Sequence, residues 1–473
     1  MIALVASWVA GAMAGQIVAG DPGRAFDSVS IDTRTLTPGA LYFGIRGERF
    51  DGADFAPAAI DAGAAGVVVP RKAAKLVDER GATPTAERPL VIVVDETTAA
   101  LQSLARAVRR ASGSKVVAIT GSAGKTTTKE VAAEFLESRY RVIRNRGNLN
   151  NHIGLPLSLI DLRQQPDIAV VELGMNHAGE ISTLVGVAEP DVRVWTNVGE
   201  AHLGFFESED AIADAKAEIL ERARPDTLLV ANADDDRIVA RAATFSGRTT
   251  TFGIDRPADV RATGIIERGI DGVRMQVTTP VGSTPLETPL VGRTNVANIL
   301  AAIGVAIAFD VPLSTIAERT AALKPAPHRG EVLRLAAGVT VIDDSYNANP
   351  TATRRALDVL ATTPVGQARR IAVLGEMLEL GDRAVALHEG VGRAAAKAGV
   401  DALIAIGGVP AAALADAAIR AGLPHTAVRH FPTSDEAADA VAGLVAAGDV
   451  VLVKGSRGVR TDRIVERLRA GRG

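Results

Sequence analysis

The chain has 473 residues, room for about three domains at roughly 150 residues each, and its 47% hydrophobic and 23% charged content excludes wholesale disorder or a fibrous repeat. Lysine and arginine number 52 against 55 aspartate and glutamate, a net charge of −3, so no field exists to hold nucleic acid non-specifically. The absence of cysteine excludes disulfides, thiolate metal sites and cysteine nucleophiles, fits a reducing compartment, and leaves oxygen or histidine for any metal.

Residues 1–20 carry no charge and are long enough to be tested as a membrane span or signal peptide. No lysine or arginine precedes them, alanine and glycine dominate, and Gln16 interrupts the run. No stable membrane insertion is therefore expected, and the protein is expected in the cytoplasm. Ile2, Val5, Val9, Met13 and Ile17 recur at helical spacing, which predicts a buried first helix packed on the following sheet.

Next come "SIDTR", "TPGALYFGIRG", an alanine-rich helix from Phe55, and "AGVVVP", a small α/β unit punctuated by Pro38-Gly39 and by residues 44–47. Residues 71–89 are charged and proline-dotted, which predicts a surface excursion. The strand "LVIVVD" then precedes a helix bearing Leu101, Leu104 and Val108. "KVVAITGSAGKTTTKEVAAEFLE" reads as a buried strand, a glycine turn and a long helix, the unit from which nucleotide-binding doubly wound sheets are built. Further strands are predicted at "IAVVELG", "VRVWTNVG", "DTLLVANAD" and "RTTTFGI", then a β-rich patch "GVRMQVTTPVGSTPLETPL" and the helix "NVANILAAIGVAIA". After "ALKPAPHRGEV" the alternation restarts with "VTVIDDS", "RRIAVLGEM", "DALIAIGG" and "DVVLVKGS". The expected fold is α/β in three domains: a small N-terminal α/β domain (1–95), a central P-loop doubly wound domain (96–325) and a C-terminal Rossmann-like domain (326–473).

In "TGSAGKTTTKE", Thr120, Gly121, Ser122, Ala123 and Gly124 make a tight turn, and Lys125 and Thr126 open the helix. Backbone N–H groups there face an anion, the helix dipole favours negative charge, Lys125 bridges terminal phosphates and Thr126 ligates Mg²⁺. Ile119 stands where the full Walker spacing wants glycine; the strand before and helix after supply the required context. The hydroxyls of Thr127 and Thr128 suit either ligand or helix cap. Glu172 ends the strand "IAVVE", where a side chain reaches the crevice at the carboxyl edge of a sheet unless it caps a helix or stays on the surface. Asn295 and Asn298 share one helix face and could present amides to an adenine edge or cap that helix.

The loop resembles the ATP loop of the Mur ligases. "SIDTRTLTPGALYFGIRGERFDGADF", "GNLNNHIGLPLSL", "VELGMNHAGEI", "AHLGFF", "AKAEI", "GRTNVANILAA", "DDSYNANP", "ELGD" and "LVKGSRG" agree in order, from about residue 28 to about residue 460. The resemblance implies a UDP-sugar domain, an ATP domain, and a C-terminal domain that binds a dipeptide and closes over ATP. It implies two magnesium sites, with Thr126, Glu172, His202 and Lys216 as metal-site residues and Lys125, Glu172, His202 and Lys216 as the catalytic set. On spacing alone His202 is a loop histidine and Lys216 a lysine on a polar helix face. The resemblance implies instead that Lys216 lies near the second metal, carbamylated. An ammonium about 4 Å from a dication at an effective dielectric near 20 is repelled by roughly 8 kcal/mol, and carbamylation replaces that cation with an anion.

The resemblance further assigns Arg329 to the phosphates and Asp344 to a ribose hydroxyl; an inter-domain salt bridge is the alternative for both. Thr294 stands where the family usually has histidine. Asp32, Thr33 and Arg34 match the uridine-binding turn. Asn150 and Asn151 form a polar cluster suited to the sugar-peptide or the reacting carboxylate. Tyr346, Asn347, Asn349, Lys454, Ser456 and Arg457 are expected to meet an incoming dipeptide, since a planar guanidinium matches a carboxylate's two oxygens.

A free carboxylate resists amine attack, being anionic and lacking a leaving group; phosphoryl transfer from ATP supplies an acyl phosphate. The resemblance implies ATP-dependent joining of D-Ala-D-Ala to UDP-MurNAc-tripeptide in peptidoglycan precursor synthesis, by a monomer with no nucleic-acid partner. A sister ligase adding the third residue carries an Asp-Asn-Pro-Arg motif, which is absent. Folylpolyglutamate synthase shares the ATP chemistry, but the "SIDTR" to "GIRGERFDG" block argues for a UDP-sugar domain in its place; from a different class, a nucleotide-switched binding module with no ligase activity is the alternative.

Overall fold

The computed structural model describes residues 1–75, 89–145, 147–200 and 204–472. It is a mixed α/β protein with several sheets containing parallel strands. Two units separate by their contacts: Met1–Ala118 with Tyr140–Met175 and Gly179–Val192, and Ile119–Arg139 with Asn176–Ala178 and Arg193–Gly473.

In the first unit β1 (Leu4–Val5) leads into the helix Ala6–Ala12 and then β2 (Gln16–Ala19), and β1 pairs antiparallel with β3 (Ala25–Phe26). The single helix predicted for residues 1–20 is therefore corrected to strand, short helix, strand. The Gly15 N–H reaches back to the Ala10 carbonyl at 2.8 Å with Ala14 left-handed between them, the closure that ends a helix. Ile17 accordingly sits in β2 opposite Ile92. β4 (Ser28–Ser30), β5 (Ala40–Phe43), β6 (Gly66–Pro70) and β7 (Leu90–Val94) complete a sheet ordered β2-β7-β6-β5-β4, parallel except for β2. Nearly every residue of β5, β6 and β7 is buried, as expected of parallel strands covered on both faces. The helix Thr97–Ser112 buries Leu101, Leu104 and Val108, and the Glu96 carboxylate caps it. Also in this unit, β9 (Val142–Arg144) pairs parallel with β10 (Ile168–Glu172), which neighbours β8 (Lys115–Thr120).

In the second unit β11 (Val192–Trp195), β12 (Leu228–Asn232), β13 (Arg248–Gly253) and β14 (Val260–Glu267) lie side by side, and β15 (Val273–Thr279) and β16 (Gly282–Thr288) fold back beyond them. β12 to β14 run parallel, and the last two strands antiparallel. Residues of β15 alternate buried and exposed, the signature of a sheet with one face on a core. The helix Gly292–Ala308 is buried along most of its length.

The six-stranded sheet has the order β17 (Glu331–Arg334), β18 (Thr340–Asp344), β22 (Val450–Lys454), β19 (Arg370–Gly375), β20 (Ala402–Ile406) and β21 (Val428–Phe431), parallel except for β17. A hydrophobic core lies on each face. Asp344 and Lys454 close adjacent parallel strands in register, placing both at the carboxyl edge, where such sheets gather their ligands. Among the described residues no helix is long and apolar enough to cross a membrane.

Candidate functional site

The phosphate loop joins β8 to the helix Lys125–Leu136, and close neighbours impose its shape. Gly121 has φ +150° and Gly124 φ +81°; a Cβ would stand 2.0 Å from Thr196 Oγ1 at the first and 2.2 Å from Asn298 Oδ1 at the second. Only glycine fits at either position. The Asn197 carboxamide brackets Ala123, accepting its N–H at 2.9 Å and donating to its carbonyl at 3.0 Å. The Ser122 N–H donates to the Asn197 carbonyl at 3.0 Å. Those two loop amides are thus engaged by Asn197. Lys125 Nζ curls back to the Gly121 carbonyl at 2.7 Å. Thr126 and Thr127 lie half-buried in the first helical turn, while buried Thr120 closes β8.

Asn298 is buried, its oxygen accepting from Thr128 Oγ1 at 3.3 Å and its Nδ2 donating to Asn295 Oδ1 at 3.2 Å. Asn295 Nδ2 in turn reaches the Val291 carbonyl at 2.9 Å. The two asparagines therefore form a chain behind Gly124, linking the helix Gly292–Ala308 to the phosphate-loop helix.

Lys216 lies on the helix Glu209–Ala217 and is 1% exposed, against the solvated position its polar sequence context predicts. Among the described residues its ammonium makes no hydrogen bond or ion pair. Burial, helped by the charge of Lys125, drives its pKa well below the ordinary lysine value, because an uncompensated ammonium is disfavoured away from water. His202 lies outside the described residues. Among the described residues no three histidine, aspartate or glutamate side chains cluster as metal ligands.

In the first unit Glu172 ends β10, 4% exposed, its N–H donating to Asn145 Oδ1 at 3.0 Å and its Oε1 accepting from Asn150 Nδ2 at 2.8 Å. Asn150 is thus brought to Glu172. Asn151 turns away: its Oδ1 accepts the N–H groups of Ile153 and Gly154 at 3.2 and 2.8 Å, where a helix begins. Arg34 forks onto Asp32 through Nε at 2.9 Å and NH2 at 2.6 Å, with half-buried Thr33 between them. The hydrogen bonds from Arg34 lower the Asp32 pKa to about 2. Tyr42, buried with its hydroxyl on the Gly52 carbonyl at 2.9 Å, has its pKa raised to about 12 by burial and by the charges of Asp32 and Asp51.

At the carboxyl edge of the six-stranded sheet, Lys454 Nζ donates to Asp344 Oδ2 at 2.6 Å and to the Asn347 carbonyl at 3.0 Å. Guanidinium carbons of Arg329 and Arg457 stand 4.0 and 5.5 Å from the Tyr346 ring centre, within cation–π range. Ser456 Oγ accepts the Leu378 N–H at 2.9 Å and donates to the Ala348 carbonyl at 3.3 Å, tying two loops together. The structure brings Arg329, Asp344, Tyr346, Asn347, Lys454, Ser456 and Arg457 into one cluster. Asn349 instead caps the helix Pro350–Thr362 through the Ala352 N–H at 2.8 Å.

Sequence reasoning missed Asn197, Asn145, Tyr42 and the set in which His328 Nδ1 meets Asp343 Oδ2 at 2.8 Å while Ser345 Oγ donates to Asp343 Oδ1 at 2.6 Å. It also missed Glu200, which accepts from Thr351 Oγ1 at 3.1 Å and from Arg354 NH2. Asn197 follows a buried strand as Glu172 ends one, so the strand-end rule that found Glu172 would have found it. No local signal marks the others.

Residues 25–109 match the Mur ligase family catalytic domain, residues 119–306 the Mur ligase middle domain, and residues 328–457 the Mur ligase glutamate ligase domain. The chain is 34% identical over 472 residues to the UDP-N-acetylmuramoyl-tripeptide--D-alanyl-D-alanine ligase of Escherichia coli (strain K12), covering 99% of each. A crystal structure of MurF from Acinetobacter baumannii superimposes with a TM-score of 0.87 at 31% identity over 99% of both chains. MurF ligase from Thermotoga maritima in complex with ADP gives 0.80 at 28% identity, covering 94% of this chain and 97% of that one.

Proposed function

The chain belongs to the Mur ligase family, and from that premise we propose that it joins D-Ala-D-Ala to UDP-N-acetylmuramoyl-tripeptide at the expense of ATP, in peptidoglycan precursor synthesis. The observation that carries this reading is a similarity running through 99% of the chain and of a ligase so named, so that it reaches well beyond the phosphate loop.

The tripeptide carboxylate attacks the γ-phosphorus of ATP, and the bond to the bridging oxygen of ADP breaks. The resulting acyl phosphate is then attacked at carbon by the dipeptide amine, which loses a proton as phosphate departs. Lys125 neutralises charge on the moving phosphoryl group. The loop of Thr120, Gly121, Ser122, Ala123, Gly124, Thr126 and Thr127 cradles the phosphates, with Asn298 and Asn295 keeping Gly124 in place. Asp344 and Arg329 serve the nucleotide; Tyr346, Asn347, Asn349, Lys454, Ser456 and Arg457 serve the dipeptide; Asp32, Thr33 and Arg34 serve the uridine. Asn150 orients the Glu172 carboxylate, and Asn151 shapes the adjoining turn. Residues 1–95, 96–325 and 326–473 are assigned as the UDP-sugar, ATP and dipeptide domains.

Magnesium would add charge neutralisation at the phosphates. The family resemblance assigns Thr126, Glu172, His202 and Lys216 to it. The buried amine of Lys216 fits that assignment as a carbamate: its unprotonated form attacks carbon dioxide, a C–N bond forms as one C–O π bond opens onto oxygen, the nitrogen loses a proton, and a carboxylate-like anion takes the place of the amine. With ATP and a UDP-sugar as substrates, we place the enzyme in the cytoplasm, acting as a monomer.

Phosphate release is expected only with ATP, magnesium, a UDP-MurNAc-tripeptide (tested with meso-diaminopimelate and with lysine as third residue) and D-Ala-D-Ala together. Nucleotide hydrolysis indifferent to both co-substrates would end this reading.

A further inference from the structure

The helix Pro350–Thr362 carries two adjacent arginines, neither of which the chemistry above uses. Arg354 is accounted for by Glu200, whose carboxylate also accepts from Thr351 Oγ1 at 3.1 Å. Arg355 differs. Among the described residues it makes no hydrogen bond or ion pair, yet it lines one concave space with Ser122 and Ala123 of the phosphate loop, Gly199 and Asn349. The one carboxylate on that lining is Glu200, already engaged by Arg354 and Thr351. The remaining lining is main chain and neutral side chains.

Desolvation lowers the Arg355 pKa, Asp358 one turn on offsets part of that, and the Arg354 charge adds to it. The side chain is nevertheless exposed, so its guanidinium is open to solvent and to a ligand entering that space, with no carboxylate paired to it among the described residues. The space it faces is walled by a phosphate loop, and a planar five-donor cation matches a phosphoryl group well.

We propose that Arg355 is a further phosphate-binding residue, contacting the terminal phosphoryl group of ATP from the face opposite the loop. The proposal rests on the reading that this loop binds ATP. In phosphoryl transfer a cation at that position neutralises charge on the γ-oxygens as the bond to ADP breaks, so Arg355 supplements Lys125 from a different element of the fold. Because ADP lacks the γ-phosphoryl group, Arg355 favours ATP over ADP.

The test measures ATP and ADP dissociation constants by calorimetry on the full-length enzyme, for the parent, Arg355→Gln and Arg355→Lys, with thermal midpoints recorded for each. Arg355→Gln is expected to weaken ATP about ten-fold, the usual order for one charge-assisted hydrogen bond. ADP is expected to stay within about two-fold on the same logic, since it lacks the contacted group. Arg355→Lys should recover part of the ATP preference. An unchanged ATP-to-ADP ratio in Arg355→Gln overturns the proposal, and so does equal weakening of both nucleotides, which marks a residue that only shapes the space. Should Arg355→Gln fail to fold, the Arg355→Lys ratio decides by the same criterion. Dipeptide-dependent phosphate release by the parent is scored separately, so a failed ligase reading and a failed Arg355 contact give different results.

Discussion

Asn298 Oδ1 occupies the volume that a Cβ on Gly124 would need, 2.2 Å from its ideal position. The contact links residues far apart in the chain and makes the phosphate loop depend on the helix Gly292–Ala308. Gly124→Ala adds a left-handed backbone penalty of about 1–2 kcal/mol to this collision. The loop is expected to open and ATP affinity to fall at least about ten-fold, while circular dichroism stays parental. Wild-type nucleotide titration curves would show that the loop tolerates the displacement.

Lys216 is expected to be destabilising until it is modified. Its folded pKa lies well below the ordinary value, so from the folded pKa up to the unfolded one at about 10.4 the unfolded chain binds more protons than the folded one. By the linkage relation this contribution to stability rises with pH through that window. Lys216→Met in bicarbonate-free buffer should raise the thermal midpoint by about 2 °C while abolishing turnover at every bicarbonate concentration. Parental turnover in Lys216→Met would remove the residue from the site.

Lys454 and Asp344 form an unequal pair: the side chains are 3% and 24% exposed. Removing the better-solvated partner strands the buried charge. Asp344→Ala is therefore expected to cost about 3 kcal/mol, and Lys454→Met about 1 kcal/mol, because the remaining carboxylate reaches water. Urea unfolding of both variants measures the difference, and the reverse order would contradict this account.

His388 is fully buried, accepting the Met377 N–H at Nε2 (2.9 Å) with Nδ1 on the Ala384 carbonyl at 2.7 Å. That arrangement requires neutral imidazole. Burial lowers its pKa, partly offset by the Ala384 carbonyl and by Glu376. A His with a depressed folded pKa stabilises above the unfolded value near 6.5 and loses that contribution as pH falls below it. Thermal melts from about pH 7 to about pH 5 should steepen on the acid side in the parent and flatten in His388→Gln, which keeps an acceptor. Parallel profiles would place the acid sensitivity elsewhere.

The four central strands of the six-stranded sheet were legible because β18, β19, β20 and β22 are buried hydrophobic runs. The edge strands β17 and β21 were not: half-exposed on one border each, they lack both the continuous run and the alternation. β9 is only three residues long and partly buried. In residues 1–20 a spacing of four fitted a helix, but four is also even, so it keeps a side chain on one face of a strand.

Consecutive residues carry the phosphate loop, its flanking strand and helix, and the charge and turn chemistry around them, and so the amino-acid order by itself determined these. Depth and long-range pairing had to await folding. Asn298 reaches Thr128 across 170 positions and Asn150 reaches Glu172 across 22, while Lys216 is sealed from water on a helix whose polar pattern points to solvent. Periodicity states which face of an element a residue occupies; what packs against that face, and whether water remains there, is settled only when distant segments meet.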